Sequence, residues 1–365
     1  MPKLTALLFK VLSFGEDLGE AMNLMPDLLL VFYYLSTYMK PIKPYLLKLS
    51  GFLTLIIVLQ SCKDDKPGSW KNDEIKAGKR EDFHKMTDQV FIDLKKNDLP
   101  HLKLMMSKEL IDDHGTEHSV ELMSNHLTDN KFSLLDEYYI INKHKDAETI
   151  TLSGAGIEIK YPGVTRETYI AFYIPKTVDN KYLITTIYGK YNYGWKLSYL
   201  DLSPYTVNGK TAPELFKLAK EQYDKKYLID AMNTMNLANS CVKPASVWQY
   251  PDESGIKDFY LKVLNESNGK YKFPFTINSL PTRPMILRVY TKDTDEGTFP
   301  VIYYMTHISI IDTNDVKGEN VQIKKALSKL LPGIDKYNKY VFYEAFNKFP
   351  RDYESVDRFN MVDKH

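Results

Sequence analysis

The spacing of apolar residues changes period once between residues 80 and 208, and that change confines the segment to a layered α+β fold. Phe83, Met86, Thr87, Val90, Phe91 and Leu94 recur at helical spacing. Leu99, Leu102, Leu104 and Met105, closed by Leu110 and Ile111, mark a second short helix, and Thr116–Leu127 a third. From Phe132 the pattern becomes that of strands, predicted over Phe132–Asn142, Thr149–Tyr161, Glu167–Pro175, Lys181–Tyr188 and Gly194–Leu202. Along Glu167–Pro175, Tyr169, Ala171 and Tyr173 fall on one face and Ile170, Phe172 and Ile174 on the other. Helices followed by a run of antiparallel strands make an α+β layer.

A second unit follows at 211–250. Thr211 and Glu214 are spaced as a capping box, with Pro213 in the first turn. Leu215, Leu218, Ala219, Gln222 and Tyr223 lie on one helix, and Leu228, Ala231, Met232, Met235 and Ala238 on the next. The spacing of Ala219, Ala231, Ala238 and Pro244 resembles one tetratricopeptide repeat. A solenoid needs about three repeats and no second copy is found, so a single helical hairpin is expected. Residues 252–365 read as a further α+β unit: a helix at Ile256–Val263, strands at Tyr271–Ile277, Met285–Thr291 and Phe299–Ile311, and an amphipathic helix at Val321–Leu331. Tyr340–Phe346 is apolar and compatible with either strand or helix.

The start of the chain carries an address. Lys40, Lys43 and Lys48 precede a nine-residue apolar run, Gly51–Leu59. A membrane-spanning helix needs about 20 apolar residues, so this run has the length of a signal-peptide core. Leu59-Gln60-Ser61-Cys62 follows, with small Ser61 beside the cysteine. These residues resemble the signal and lipobox of bacterial lipoproteins, with Gln60 departing from the small or branched residue usual there. The resemblance implies cleavage before Cys62, acylation of its sulfur, and anchoring to a membrane by several acyl chains. It also implies a start at Met39, leaving 1–38 as an upstream extension, 39–61 as signal peptide and 62–79 as a flexible tether. Lys63, Asp64 and Asp65 resemble the lysine-then-acidic signal that sends some lipoproteins to the outer face of the outer membrane. A periplasm-facing position is the alternative.

Composition narrows the classes of function. A formal net charge of +1 over 365 residues argues against a nucleic-acid binder, which would show a basic face. The chain has two cysteines; with Cys62 assigned to lipid, Cys241 has no disulfide partner and is expected in the core. Tyrosine is abundant, at 27 residues, which suits half-buried antiparallel strands and also a surface that stacks on glycans or other ligands.

The order of elements in 80–208, with Gly194-Trp195-Lys196-Leu197 as a terminal-strand pattern, resembles the cone-shaped fold of nuclear transport factor two and ketosteroid isomerase. That resemblance implies a curved sheet wrapped on the long N-terminal helix. In the enzymes of that group an Asp or His deep in the pocket does the chemistry. The candidates here are Asp136, Glu137, His144 and Glu167. Alternation sends Asp136 and Glu137 to opposite faces, so at most one of them enters a pocket.

Other motifs carry less. Asn208-Gly209-Lys210-Thr211 lies between strand and helix like a phosphate loop, but Pro204 stands where that loop needs glycine. Asp112, Asp113, His114, Glu117 and His118 have metal-ligand chemistry, yet Gly115 and Thr116 separate the histidines and start a helix, so a solvated loop is expected. Neither a Gly-x-Ser-x-Gly elbow nor His-Glu-x-x-His occurs. The expectation is a lipid-anchored envelope protein that binds a protein or small-molecule partner, without cofactor or metal. An isomerase- or hydrolase-type enzyme and a surface glycan-binding protein are the alternatives.

Overall fold

The architecture is that of a computed structural model, which describes residues 66–127, 131–143, 149–154, 156–176, 178–350 and 355–365. The leader and its lipobox at Leu59, Gln60, Ser61 and Cys62, the export signal at Lys63, Asp64 and Asp65, and His144 lie outside the described residues.

The first sheet forms where the period-2 pattern predicts it. Its strands are β1 (Gly68–Lys71), β2 (Phe132–Ile141), β5 (Glu167–Pro175), β6 (Tyr182–Tyr191) and β7 (Gly194–Pro204), in the order β1-β2-β5-β6-β7 and antiparallel throughout. Helices α1 (Ala77–Lys96), α2 (Leu99–Met105), α3 (Lys108–Asp112) and α4 (Thr116–Leu127) precede β2. Phe83, Val90, Leu94, Leu102, Val120 and Met123 bury against Tyr139, Tyr169, Ala171 and Tyr188 on one face of this sheet. The opposite face, with Tyr138, Ile170, Phe172 and Leu183, is covered by a hairpin, β3 (Thr149–Gly154) and β4 (Ile157–Pro162), and by helices α5 (Ala212–Asp224) and α6 (Leu228–Ser240). A two-residue strand, β8 (Trp248–Gln249), pairs with β4. Helix α7 (Glu253–Lys270) packs against α6, and its Ile256 joins the same core.

The second sheet is formed by β9 (Phe275–Thr276), β10 (Met285–Thr294), β11 (Gly297–Met305), β12 (Tyr340–Phe346) and β13 (Arg358–Lys364), in the order β13-β12-β11-β10-β9. Only β11 and β12 run parallel, because α8 (Thr313–Leu330) provides the crossover between them. Val316, Ile323 and Leu327 of α8 pack on Ile286, Ile302, Tyr304, Val341 and Tyr343. The α+β class is therefore shown, with eight α-helices and three sheets among the described residues.

Several elements differ from their predicted extent for identifiable reasons. The expected tether, 62–79, folds from Gly68 onward into β1, a 3-10 turn at Asn72–Glu74 and the start of α1. The predicted helix over 99–111 divides because Met106 and Ser107 turn extended: Ser107 N–H donates to Leu197 O at 2.8 Å, and its hydroxyl caps α3 by accepting from Leu110 N–H. The predicted strand Thr149–Tyr161 is the β3–β4 hairpin, turned through Gly156 at φ +79°. In Tyr271–Ile277 only Phe275 and Thr276 pair, next to Pro274, which has no N–H for a ladder. The predicted strand Phe299–Ile311 ends at Met305, where Thr306 Oγ1 accepts from Ile308 N–H and the Asn347 side chain takes up Ile310 N–H and Ile308 O. Tyr340–Phe346 is a strand.

Residues Pro67–His365 pack as one unit. Polar contacts join its parts, among them those of Asn208 and Asp230. The Asn208 side chain holds Thr298 through both backbone groups, donating to its O at 2.7 Å and accepting from its N–H at 2.6 Å. On α6, Asp230 is buried and accepts from Asn338 Nδ2 at 3.1 Å. Burial, opposed by the Asn338 bond and reinforced by nearby Asp335, pushes the Asp230 carboxyl up to about 7. An acid raised in the folded state binds more protons there than in the unfolded chain, so its contribution to stability is full below pH 4 and lost as pH rises to 7. Asp230→Asn is expected to leave stability near pH 4 unchanged and to raise it at pH 8 by up to roughly 4 kcal/mol, as read by urea unfolding at the two pH values.

Candidate functional site

Among the described residues, a predicted acid/base residue meets a histidine and a tyrosine on the β2 segment facing α1. A bulge between Leu134 and Asp136 sets its geometry. Straight alternation from Leu134, which faces α1, would bring Asp136 to the helix side. The extra residue reverses this: Asp136 pairs with Phe172 on the far side and Glu137 with Ala171 on the helix side. Asp136 stays near the surface, bridged to Lys71 Nζ at 3.0 Å and accepting from Asn72 Nδ2 at 3.0 Å. Glu137 enters the core with a side chain 2% exposed.

Each part of Glu137 is held. Its Oε2 accepts from Tyr169 OH at 2.5 Å and pairs with His84 Nε2 at 2.8 Å. Arg80 Nε lies 3.8 Å from Oε1, and Glu137 N–H donates to Asn72 Oδ1 at 2.9 Å. Phe83 stacks on Tyr169, with centroids 4.1 Å apart, and closes the space above. Burial first, then nearby Tyr173 and Glu137, raises the Tyr169 pKa far above the ordinary phenol value, so it acts only as a donor to the carboxylate. Thr87 and Tyr188 hydroxyls pair at 3.1 Å on the same side of the sheet.

Glu167 stands at the sheet end, away from this pair. It accepts from Lys190 Nζ at 2.9 Å and from Tyr139 OH. Burial opposes its charge, but those two bonds and the nearby Lys79 outweigh it and lower the pKa. Of the four sequence candidates, then, Glu137 lies in the core, Asp136 and Glu167 are engaged in surface ion pairs, and His144 lies outside the described residues. The sequence reading missed His84 and Tyr169 as its partners. His84 lies one position after core residue Phe83, and periodicity alone left it as a helix surface residue.

Asp112, Asp113, His114, Glu117 and His118 are not brought together. Asp113 accepts from Gly115 N–H at 2.8 Å, and Glu117 bridges to Lys103 at 2.7 Å. Among the described residues one set, Asp93, Asp98 and His101, has metal-ligand atoms within 4.8 Å of one another. Asp93 there is buried and already bonded to Gln89 Nε2 at 2.9 Å and His101 Nδ1 at 2.8 Å. The Asn208–Thr211 turn caps α5, with Glu214 accepting from Thr211 N–H at 2.8 Å, and clamps Thr298.

The face of the second sheet opposite α8 has a different character. Cross-strand register aligns Arg288, Tyr303, Glu344 and Asn360 in one row, and Tyr290, Val301, Phe342 and Val362 in the next. Tyr290 and Tyr303 meet edge to face at 5.5 Å, and Arg288 lies over the Tyr290 ring. Buried Glu344 is flanked by Lys292 and Arg358, each at 3.2 Å. A shallow groove of about 270 Å³ runs along the edge of this face between Glu296, Tyr340, Phe342 and Val362.

Chemically, a carboxylate orienting a histidine can serve a general base, and the His84 side chain is 39% exposed. Glu137 itself is enclosed, with a side chain 2% exposed. Comparison with family models, characterised proteins and solved structures finds no match to this chain. No helix of the described residues is long and apolar enough to cross a membrane.

A buried carboxylate that anchors α1 to the sheet is expected to stabilise the fold. Glu137→Ala should lower unfolding free energy by about 3 kcal/mol, the scale of breaking a buried hydrogen-bonded charge. A gain in stability would instead mark a strained catalytic group; chemical denaturation distinguishes the two.

Proposed function

We propose that the chain is a lipid-anchored protein of a bacterial outer membrane that acts by binding. The observation that carries the anchor is the succession of basic residues, short apolar run and Leu59-Gln60-Ser61-Cys62. Lys63, Asp64 and Asp65 support exposure at the cell surface, with the periplasmic side as the other orientation. The reading as a binding protein rests on the contrast between two places. Glu137 is enclosed and saturated by Tyr169 and His84, whereas the second sheet turns half-exposed rings and charges outward.

A glycan is the ligand class this outer face suits best. Tyr290, Tyr303 and Phe342 offer flat apolar surfaces, while Arg288, Lys292 and Asn360 offer hydrogen-bonding groups beside them. The acid/base enzyme remains the rival reading, favoured only by the Glu137–His84 pair.

Radiolabelled palmitate should appear in the wild-type protein and be absent from Cys62→Ala, which should leave the membrane fraction. Soluble Cys62→Ala protein should bind envelope polysaccharide on an array, and Tyr290→Ala should weaken that binding several-fold. Label retained in Cys62→Ala would remove the anchor, and equal binding by Tyr290→Ala would remove the glycan face.

A further inference from the structure

We infer that the end of the first sheet where the chain enters β1 seats on the headgroup region of the bilayer that holds the anchor. This rests on the lipid-anchor reading above. Five residues, Lys63 to Pro67, separate Cys62 from the first strand residue, Gly68. Six residue steps reach at most about 20 Å. A ten-residue strand such as β6 is about 33 Å long, so the leash is shorter than the sheet it joins.

Register fixes which end is tied. Gly68 pairs with Ile141 and Ile141 with Glu167; Thr168 pairs with Gly189 and Gly189 with Lys196. The tether therefore meets the sheet at the end holding the β4–β5 loop and the β6–β7 turn. The second sheet is fastened at the other end, where Asn180 and Asn208 reach Thr298.

The tethered end has the side chains a bilayer interface takes. Three separate segments each project an apolar residue more than half exposed: Leu104 at 68%, Val164 at 57% and Tyr193 at 54%. Leu104 is placed there by its carbonyl, which accepts from Lys196 Nζ at 2.8 Å. The β4–β5 loop and the β6–β7 turn are neighbours, since a Cβ at Gly189 would stand 2.9 Å from the Thr165 side chain and 3.1 Å from the Tyr191 ring. Tyr191 and Tyr193 stack at 5.2 Å. Among the described residues Lys143, Arg166 and Lys196 lie at this end with the acid Glu109, and Glu167 is paired with Lys190 at 2.9 Å. Aromatic tips among cations fit the interface of an anionic leaflet. In this pose the second sheet's outer face stands clear of the membrane for its own ligand.

The test uses the full-length acylated protein in vesicles of phosphatidylethanolamine with a minority of phosphatidylglycerol. Leu104→Cys, Val164→Cys and, as the distant control, Val362→Cys each carry an environment-sensitive fluorophore; all three positions are exposed, and Cys241 is fully buried. Nitroxide-labelled lipid should quench positions 104 and 164 several-fold and leave 362 unchanged. Equal emission at all three sites, in protein whose acylation is verified by mass, overturns the membrane-seated end alone. Protein that lacks acyl chains overturns the anchor and this inference with it.

Discussion

Burial of the first sheet on both faces is the constraint from which the rest follows. Tyr169, Ile170, Ala171, Phe172 and Tyr173 in β5, and Leu183 and Ile184 in β6, are all buried, although successive side chains point in opposite directions. One covering alone would leave half of them in water. Helices α1, α2 and α4 take one set and the β3–β4 hairpin with α5 and α6 takes the other. At about 25 cal/mol per Å² of apolar surface, neither layer can be removed without exposing a continuous hydrophobic face. This is why the helical hairpin is a layer on the sheet. Its Ala219, Met235 and Ala238 share a core with Ile170 and Phe172, while Ile229 of the same hairpin belongs to the core of the second sheet.

The same arrangement gives the molecule two ends. With both faces of the first sheet occupied, only the strand ends and the β1 and β7 edges remain for other contacts. One strand end receives the entering chain, and the other carries the Asn208 clamp on Thr298. Asn208 adopts φ +52° and Gly209 φ +72°, a left-handed pair that turns the chain sharply and directs the Asn208 amide at the β10–β11 hairpin. A substitution that removed the amide would leave Thr298 N–H and O unpaired in a buried setting.

Legibility in the sequence followed local physics. Strands β5, β6 and β7 were readable within three residues at each end because their apolar runs are long and interrupted by turns. The capping box of α5 was readable from Thr211 and Glu214 alone, and Glu214 does accept from Thr211 N–H. Strand β1, Gly-Ser-Trp-Lys, was not: four residues at an edge carry no period, and pairing with β2 defines it. In β13 the alternation of Phe359 and Met361 with Asn360 and Val362 held a usable signal that the mixed polarity hid. The bulge in β2 lay beyond any periodic argument, since it changes which of two adjacent acids is buried without changing the composition of the strand.

Buried polar groups without a hydrogen-bond partner occur in both halves of the described fold, at Tyr138, Thr185, Thr186, Trp248 and Tyr250 in and around the first sheet as well as at the second. On the helix-covered side of the first sheet, Glu137, Asp93, Thr87, Tyr169 and Tyr188 all have side-chain partners. Beneath the second sheet, both carboxylate oxygens of Glu319, the Tyr304 hydroxyl, Asp230 Oδ2 and Asp335 Oδ1 have no hydrogen-bond partner. An unpaired buried polar group costs about 1–3 kcal/mol, and more when charged. In the layer between α6, α8 and the second sheet, apolar packing by Val316, Ile323 and Leu327 offsets the burial of these groups.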